Sequence, residues 1–258
     1  MKTRLVSALY DINRETKGDG RKIKDYLSWL KETLKLKCDL TIFTEEKFKE
    51  FIIQNRTNGY DCDIIVQDFD KIPFYKFNSK IKEILESPFY KYNMKDTNRI
   101  ECYLSEYNVI QYSKFEWIKN TIIKNPDYEY YFWVDAGISR FFNGFDLNQE
   151  WPNPKKLKKD KIVIQGNYNY IRMYPNLDIE KYIWDNNCLL SGGLFGGGKE
   201  VMSKLYDEVN NFVDFLFLKN CFNNEQFSFP IISKKNPEMF DVLIHNDGTP
   251  MPIFKLIS

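Results

Sequence analysis

Short apolar runs alternate along this chain with longer stretches whose apolar residues recur at helical spacing. Residues 4–10, from Arg4 to Tyr10, read as a first strand. A polar loop carrying Gly18 and Gly20 follows, and then Tyr26, Leu27, Trp29, Leu30 and Leu34 fall on one helical face. Residues 40–44 and 63–67 read as the second and third strands, with Thr44 expected to cap a helix that opens at Glu45 and Glu46. This β-α-β-α-β order predicts a doubly wound, Rossmann-like nucleotide-binding half. From 73 to 99 the pattern is polar and aromatic, which fits short helices and loops laid over a sheet.

Near the middle of the chain the pattern changes. Tyr130, Tyr131, Phe132, Trp133 and Val134 are consecutive aromatic or β-branched residues, the profile of a strand buried on both faces. The run stops at Asp135, Ala136 and Gly137. A carboxylate at the carboxyl end of a buried strand stands where open α/β sheets bind ligands, although Asp and Gly also end strands as plain turn residues. A helix is expected before this strand, over 103–124, and another after it, over 199–219. Residues 161–165 read as a further strand, 155–159 as a solvated basic loop, and 167–178 as an aromatic loop. Five of the twelve glycines fall between 191 and 198, so this backbone either takes unusual dihedrals or lets another group approach closely. No repeat or linker breaks the pattern, and one domain over 1–258 is expected, with a nucleotide-binding half (1–140) and a second half (141–258).

Composition narrows the function. Lys and Arg number 37 against 36 Asp and Glu, which is not the footprint of a nucleic-acid binder. No apolar run has the length of a membrane span, and the N-terminal segment is a poor signal peptide because Asp11 and Arg14 end its short apolar run. The five cysteines are scattered without a CxxC pair, the pattern of a reducing compartment, so a cytoplasmic setting is expected. His245 is the one histidine, which excludes mechanisms that need two. No GxGxxG follows the first strand and no GxxxxGK[ST] occurs, so a nucleotide here is not held by a glycine-rich phosphate loop.

Residues 6–14, Ser113 with Lys114, 133–137, 191–197, 224–226 and 244–248 together resemble the WlaTC/HtrL (YibB) family, predicted glycosyltransferases of the GT-A type. The resemblance implies an α/β, GT-A-like single domain with a mixed, mostly parallel central sheet flanked by helices. It implies transfer of a hexosyl or N-acetylhexosaminyl group from a nucleotide-sugar, UDP-linked in the first instance, to a glycan or other hydroxyl acceptor. Such enzymes commonly hold Mn²⁺ or Mg²⁺ with an Asp-x-Asp motif, and both ions take oxygen ligands and the substrate's own phosphates. Here Gly137 replaces the second acid, leaving Asp135, with His245 as the expected partner ligand; the alternative is a metal-independent site that relies on Arg14, Lys114 or Arg140. By resemblance, Tyr10, Arg14, Lys114, Asp135, Gly137, Ser191, Gly192 and Gly193 contact the donor, and Glu225 or Asp185 is the acid that works at the sugar. The aromatic stretch 168–174 is a candidate acceptor platform. Oligomeric state stays open. Two other readings remain: a nucleotidyltransferase, and a nucleotide-sugar- or carbohydrate-binding protein that has lost catalysis.

Overall fold

The computed structural model describes residues 2–244 and 253–258. Among them, seven strands form one sheet in the order β3-β2-β1-β4-β6-β5-β7. The strands are β1 (Thr3–Leu9), β2 (Asp39–Thr44), β3 (Cys62–Val66), β4 (Tyr130–Val134), β5 (Ile162–Gly166), β6 (Leu190–Gly198) and β7 (Phe240–Ile244). The first four run parallel, and β7 runs parallel to β5. Strand β6 is antiparallel to both of its neighbours, β4 and β5. The sheet is thus mixed and mostly parallel, as expected of a GT-A-like α/β fold.

Strand β4 is central because every residue of it is buried. Its alternation splits the core. Tyr131 and Trp133 join the apolar cluster on one face, while Tyr130, Phe132 and Val134 join the cluster on the other. Helices cover both faces: α1 (Ile23–Thr33) and α2 (Glu46–Asn55) on the Phe132 side, α3 (Ser105–Lys124) and α4 (Lys199–Leu218) on the Trp133 side. Burying a large apolar side chain of this kind contributes roughly 1.5–3 kcal/mol, so the five residues of β4 anchor the sheet.

Several local expectations change. Thr44 does not cap α2: its hydroxyl donates to the Leu9 carbonyl at 3.0 Å, and Glu45 occupies the N-cap position without a side-chain cap bond. The hydroxyl is buried between two parallel strands, where a carbonyl acceptor is nearer than the helix amides. The aromatic stretch after residue 167 is largely a helix, Tyr168–Met173, because the Asn167 side chain accepts from the Tyr170 amide and caps it. The glycine-rich stretch is a strand, not a loop, and none of its glycines has a positive φ. Close approach is what it needs. A Cβ on Gly196 would stand 2.3 Å from Phe132 Cγ, and one on Gly198 would stand 2.2 Å from the Lys159 carbonyl oxygen.

Candidate active site

The chain leaves β1 on one side for β2 and β3, and returns on the other side for β4. The crevice beyond the carboxyl ends of β1 and β4 is therefore the topological switch point, where open α/β sheets bind ligands. A cavity of about 220 Å³ opens there, lined by Tyr10, Arg14, Lys114, Trp133, Asp135 and Gly137 among others.

Asp135 is held in place from the backbone outward. Its amide donates to the Gly193 carbonyl at 2.9 Å, extending the β4–β6 ladder by one residue. Its carbonyl accepts from the Ile138 amide at 3.0 Å, which closes the turn. The C-terminal part of α1 clamps that turn: Thr33 Oγ1 donates to the Ala136 carbonyl at 3.1 Å, and Ser139 Oγ donates to the Trp29 carbonyl at 2.8 Å. The carboxylate Oδ1 accepts from Trp133 Nε1 at 2.7 Å and lies 3.2 Å from Lys114 Nζ. The other oxygen, Oδ2, accepts no hydrogen bond from the described residues. Trp133 is itself fixed by a near-parallel stack, Tyr10 on Trp117 at 5.6 Å and Trp117 on Trp133 at 6.1 Å between centroids.

Lys114 projects from the middle of α3 with its side chain 1% exposed. All three ammonium hydrogens have acceptors: Glu225 Oε1 at 2.6 Å, Asp135 Oδ1 at 3.2 Å and the Gly192 carbonyl at 3.2 Å. Burial alone would push this lysine down, but Asp135 and Glu225 outweigh it and hold it above the ordinary lysine value. Burial pushes the Glu225 carboxyl up, against the pull of Lys114. Its Oε2 is buried and has no partner. Gly192 is what lets Glu225 in, because a Cβ there would stand 2.1 Å from Glu225 Oε1.

Of the residues expected at the site, Tyr10, Arg14, Lys114, Asp135 and Gly137 line the cavity. The Tyr10 hydroxyl is buried without a partner, and burial, with Glu45 and Asp68 adding to it, pushes this phenol up so that it stays neutral. Arg14 sits over the Tyr107 ring at 5.0 Å and pairs with Asp19 at 2.6 Å. Gly137 faces Trp29: a Cβ would stand 3.0 Å from that ring, so the second acid of an Asp-x-Asp motif has no room unless Trp29 shifts. Ser191, Gly192, Gly193 and Glu225 are not among the lining residues: Gly192 and Glu225 hold Lys114 from behind, Gly193 packs against Asp135, and Ser191 is half-buried on β6. Asp185 is not among the lining residues. Its Oδ1 accepts from the Asn186 and Asn187 amides at 2.6 and 3.1 Å, and its Oδ2 from Lys95 at 3.1 Å. Burial opposes these bonds, but together they hold Asp185 below the ordinary carboxylate value. His245 lies outside the described residues.

Sequence reasoning missed Trp133 as the donor to Asp135, and Arg21, Tyr107 and Gln111 as lining residues. The signal for the last two was present: Tyr107, Gln111 and Lys114 stand four and three residues apart on one helix face. Arg140, named as a possible cation, lines the cavity, stacks on Trp29 at 5.2 Å and makes no ion pair among the described residues.

No three His, Cys, Asp or Glu side chains come together as a metal site among the described residues. Asp135 nonetheless fits the smaller role of one protein ligand to a hard divalent ion, since its Oδ2 is open and oxygen is the ligand such ions take. No helix among the described residues is long and apolar enough to cross a membrane.

Similar solved structures include the apo form of mouse xyloside xylosyltransferase 1, with 15% identity and a TM-score of 0.45 over 94% of this chain and 84% of that one. Core-mannan synthase A from Aspergillus fumigatus, in a Mn/GDP form, has 12% identity and a TM-score of 0.48 over 95% and 72%. The 4-diphosphocytidyl-2C-methyl-D-erythritol synthase of Anaerococcus prevotii has 14% identity and a TM-score of 0.39 over 96% and 90%. These likenesses are remote, and the geometry above stands on this chain's own residues. No curated protein sequence matches the chain. The family model described as bacterial protein of unknown function (HtrL_YibB) matches residues 1–257, and the chain belongs to that family.

Proposed function

We propose that this protein is a glycosyltransferase that moves a hexosyl or N-acetylhexosaminyl group from a nucleotide-sugar, UDP-linked in the first instance, to a glycan hydroxyl. The observation that carries this reading is Asp135 at the switch-point edge, with one carboxylate oxygen open to a cavity that Arg14, Arg21 and Arg140 also line. Nucleotide-sugar transfer expels a diphosphate, and fixed cations facing its oxygens stabilise the charge that develops there. Arg140, free of an acid partner among the described residues, is the cation we assign to that leaving group. Tyr10, at the end of β1, supports the Trp117–Trp133 stack and so the aim of Asp135.

In this reading Asp135 would hold Mn²⁺ or Mg²⁺ through its open oxygen, with His245 as the second protein ligand. The ion, when bound, would polarise the diphosphate as a Lewis acid. Glu225 enters as a positioning residue: it is sealed behind Lys114, at 1% exposure, and reaches the cavity only through that ammonium. Asp185 is left with a structural role, since its oxygens are spent on the 185–187 turn and Lys95.

The nucleotidyltransferase reading is weaker because no glycine occurs between Tyr10 and Lys17, where a phosphate loop would follow β1. The binding-protein reading is separated by whether the protein hydrolyses a donor in the absence of an acceptor. The first test is thermal unfolding with a panel of nucleoside diphosphates and nucleotide-sugars, each with Mn²⁺ and with EDTA. A ligand present at a hundredfold excess over its dissociation constant adds about 2.7 kcal/mol of stability. A shift with one nucleotide that vanishes in EDTA and in Asp135→Ala supports the reading. No shift with any nucleotide removes it.

A further inference from the structure

We infer that Lys114 is an internal counter-cation for Asp135, one that aims the carboxylate into the cavity and keeps a divalent ion from settling there until a diphosphate arrives. This deepens the transferase reading and rests on it. Lys114 cannot grip a phosphate itself, because its three hydrogens are committed to Glu225, Asp135 and the Gly192 carbonyl and its side chain is 1% exposed. Its charge acts on the cavity through space and through Asp135, not by a hydrogen bond to the phosphate.

The electrostatics follow from the distances. Asp135 Oδ1 accepts from Trp133 Nε1 at 2.7 Å and faces Lys114 Nζ at 3.2 Å, so only Oδ2 is free for an ion. An ammonium this close cancels much of the attraction a lone carboxylate would offer a dication. The rest of the lining adds no surplus of negative charge. Arg14 and Arg21 share Asp19, Arg140 has no acid partner among the described residues, and the lining acids Asp11 and Glu15 are matched by Lys47 and Lys22. A bare divalent ion therefore meets a cavity with no net negative charge among its described residues. A nucleoside diphosphate reverses the balance, since it brings negative charge and several oxygen ligands at once. Ion and diphosphate must then strengthen each other's binding, and linkage makes that coupling equal in both directions. Glu225 is what keeps an ammonium buried at this point: without its carboxylate, Lys114 would sit desolvated beside Asp135 alone.

The probe is Mn²⁺, followed by the loss of its free-ion electron paramagnetic resonance signal, with and without UDP. Protein-free UDP supplies the blank. In the wild-type protein Mn²⁺ should bind at least about tenfold tighter with UDP than without it, a coupling of about 1.4 kcal/mol. The double variant Lys114→Met/Glu225→Gln removes both partners of the buried pair, which spares the fold the unpaired charge that Lys114→Met alone would leave. It should bind Mn²⁺ without UDP about tenfold tighter than wild type, and its coupling should shrink. Glu225→Gln alone should weaken Mn²⁺ binding, because Lys114 then bears wholly on Asp135. Equal wild-type affinity with and without UDP, or no gain in the folded double variant, overturns the inference. If UDP raises the melting temperature but shows no coupling to Mn²⁺, only this inference falls. If no nucleotide binds at all, the transferase reading falls with it.

Discussion

The sheet buries one cation at each end, and the two are built differently. Arg4 lies at the amino end of β1, and its five N–H groups meet five acceptors: Thr41, Asp61, Tyr128, the Leu40 carbonyl and Asp63. Its acids reach water, with the Asp61 side chain 60% exposed and that of Asp63 28%. No buried side-chain atom of that network lacks a partner. Lys114, at the carboxyl end of β4, is also fully paired, but its acceptors are not. Glu225 Oε2 is buried without a partner, and Asp135 Oδ2 faces the cavity. Buried polar groups are nearly always satisfied, so a buried atom without a partner at only one of two comparable clusters marks where a ligand is expected. The lesson is that a buried charge does not by itself indicate function; the open atom beside it does.

The comparison breaks most visibly at Arg4. Arg4→Met removes all five bonds of the guanidinium, leaves Asp63 its contacts with Asn125 and Lys124, and should lower stability by about 3 kcal/mol, the lower end for breaking a buried pair because its acids remain within reach of water. Urea unfolding measures this, and the molecules that stay folded should bind nucleotide as wild type does. Loss of nucleotide binding in step with stability would erase the distinction between the two ends.

Strand β6 touches both kinds of region, and its glycines sharpen the contrast. Gly196→Ala drives a methyl to 2.3 Å from Phe132 Cγ and 2.5 Å from the Tyr131 carbonyl oxygen, so it should cost about 2 kcal/mol by overpacking. Gly192→Ala meets the Glu225 carboxylate instead, which is sealed at 1% exposure and can yield only by leaving Lys114. It should cost at least as much stability and also abolish the ion-dependent thermal shift, since Lys114 and Asp135 lose their setting.

Much of this fold is legible in the sequence, and the reason is burial. Tyr130 to Val134 could only be a strand covered on both sides, and helix Lys199–Leu218 shows its apolar face plainly, whereas Ser105–Lys124, covered on several sides, is marked by Pro126 beyond its end. Strand β7 was hidden because Phe240–Ile244 is short and mostly half-buried, so its pattern is diluted. The extent of strand β6 is not readable because glycine carries no strand signature, although four of its glycines, Gly192, Gly196, Gly197 and Gly198, are demanded by close neighbours. At the site, Asp135 was visible as a carboxylate ending a buried strand. Lys114 looked like a surface charge on a helix. Its burial follows from packing on several sides of α3, where Tyr112, Ser113, Phe115, Trp117 and Ile118 are all covered. Its link to Glu225 spans 111 positions and exists only in three dimensions.

Gly137→Ala tests whether Trp29 limits the motif. The added methyl would stand 3.0 Å from the Trp29 ring, which must give by a few tenths of an ångström. A loss of about 1 kcal/mol is expected, the low end for added bulk in a packed site, read as a drop of roughly 2–4 °C in melting temperature. Gly137→Asp should lose more, and should not raise Mn²⁺ affinity as a second motif acid would.

The smallest effect is the response to acid, and it separates the two clusters by sign. Burial would raise Asp63, but Arg4, Asn125 and Lys124 outweigh it and hold this carboxyl below its ordinary value of 3.8. Asp63 thus contributes stability above pH 3.8 that is lost as the pH falls through its folded value. Glu225 is held above its ordinary value of 4.5, chiefly by burial. The folded protein takes up that proton before the unfolded chain does, so stability rises as the pH falls from the folded value of Glu225 toward 4.5. Melting temperatures of wild type, Asp63→Asn and Glu225→Gln across mildly to strongly acidic buffers read both terms. Wild type should gain melting temperature relative to Glu225→Gln on the way down to pH 4.5, and Asp63→Asn should lose its deficit below pH 3.8. Parallel curves for wild type and Glu225→Gln would mean that the carboxyl beside Lys114 titrates alike folded and unfolded. The carboxyl-edge cluster would then be as relaxed as the amino-edge one, and the open valence would no longer set it apart.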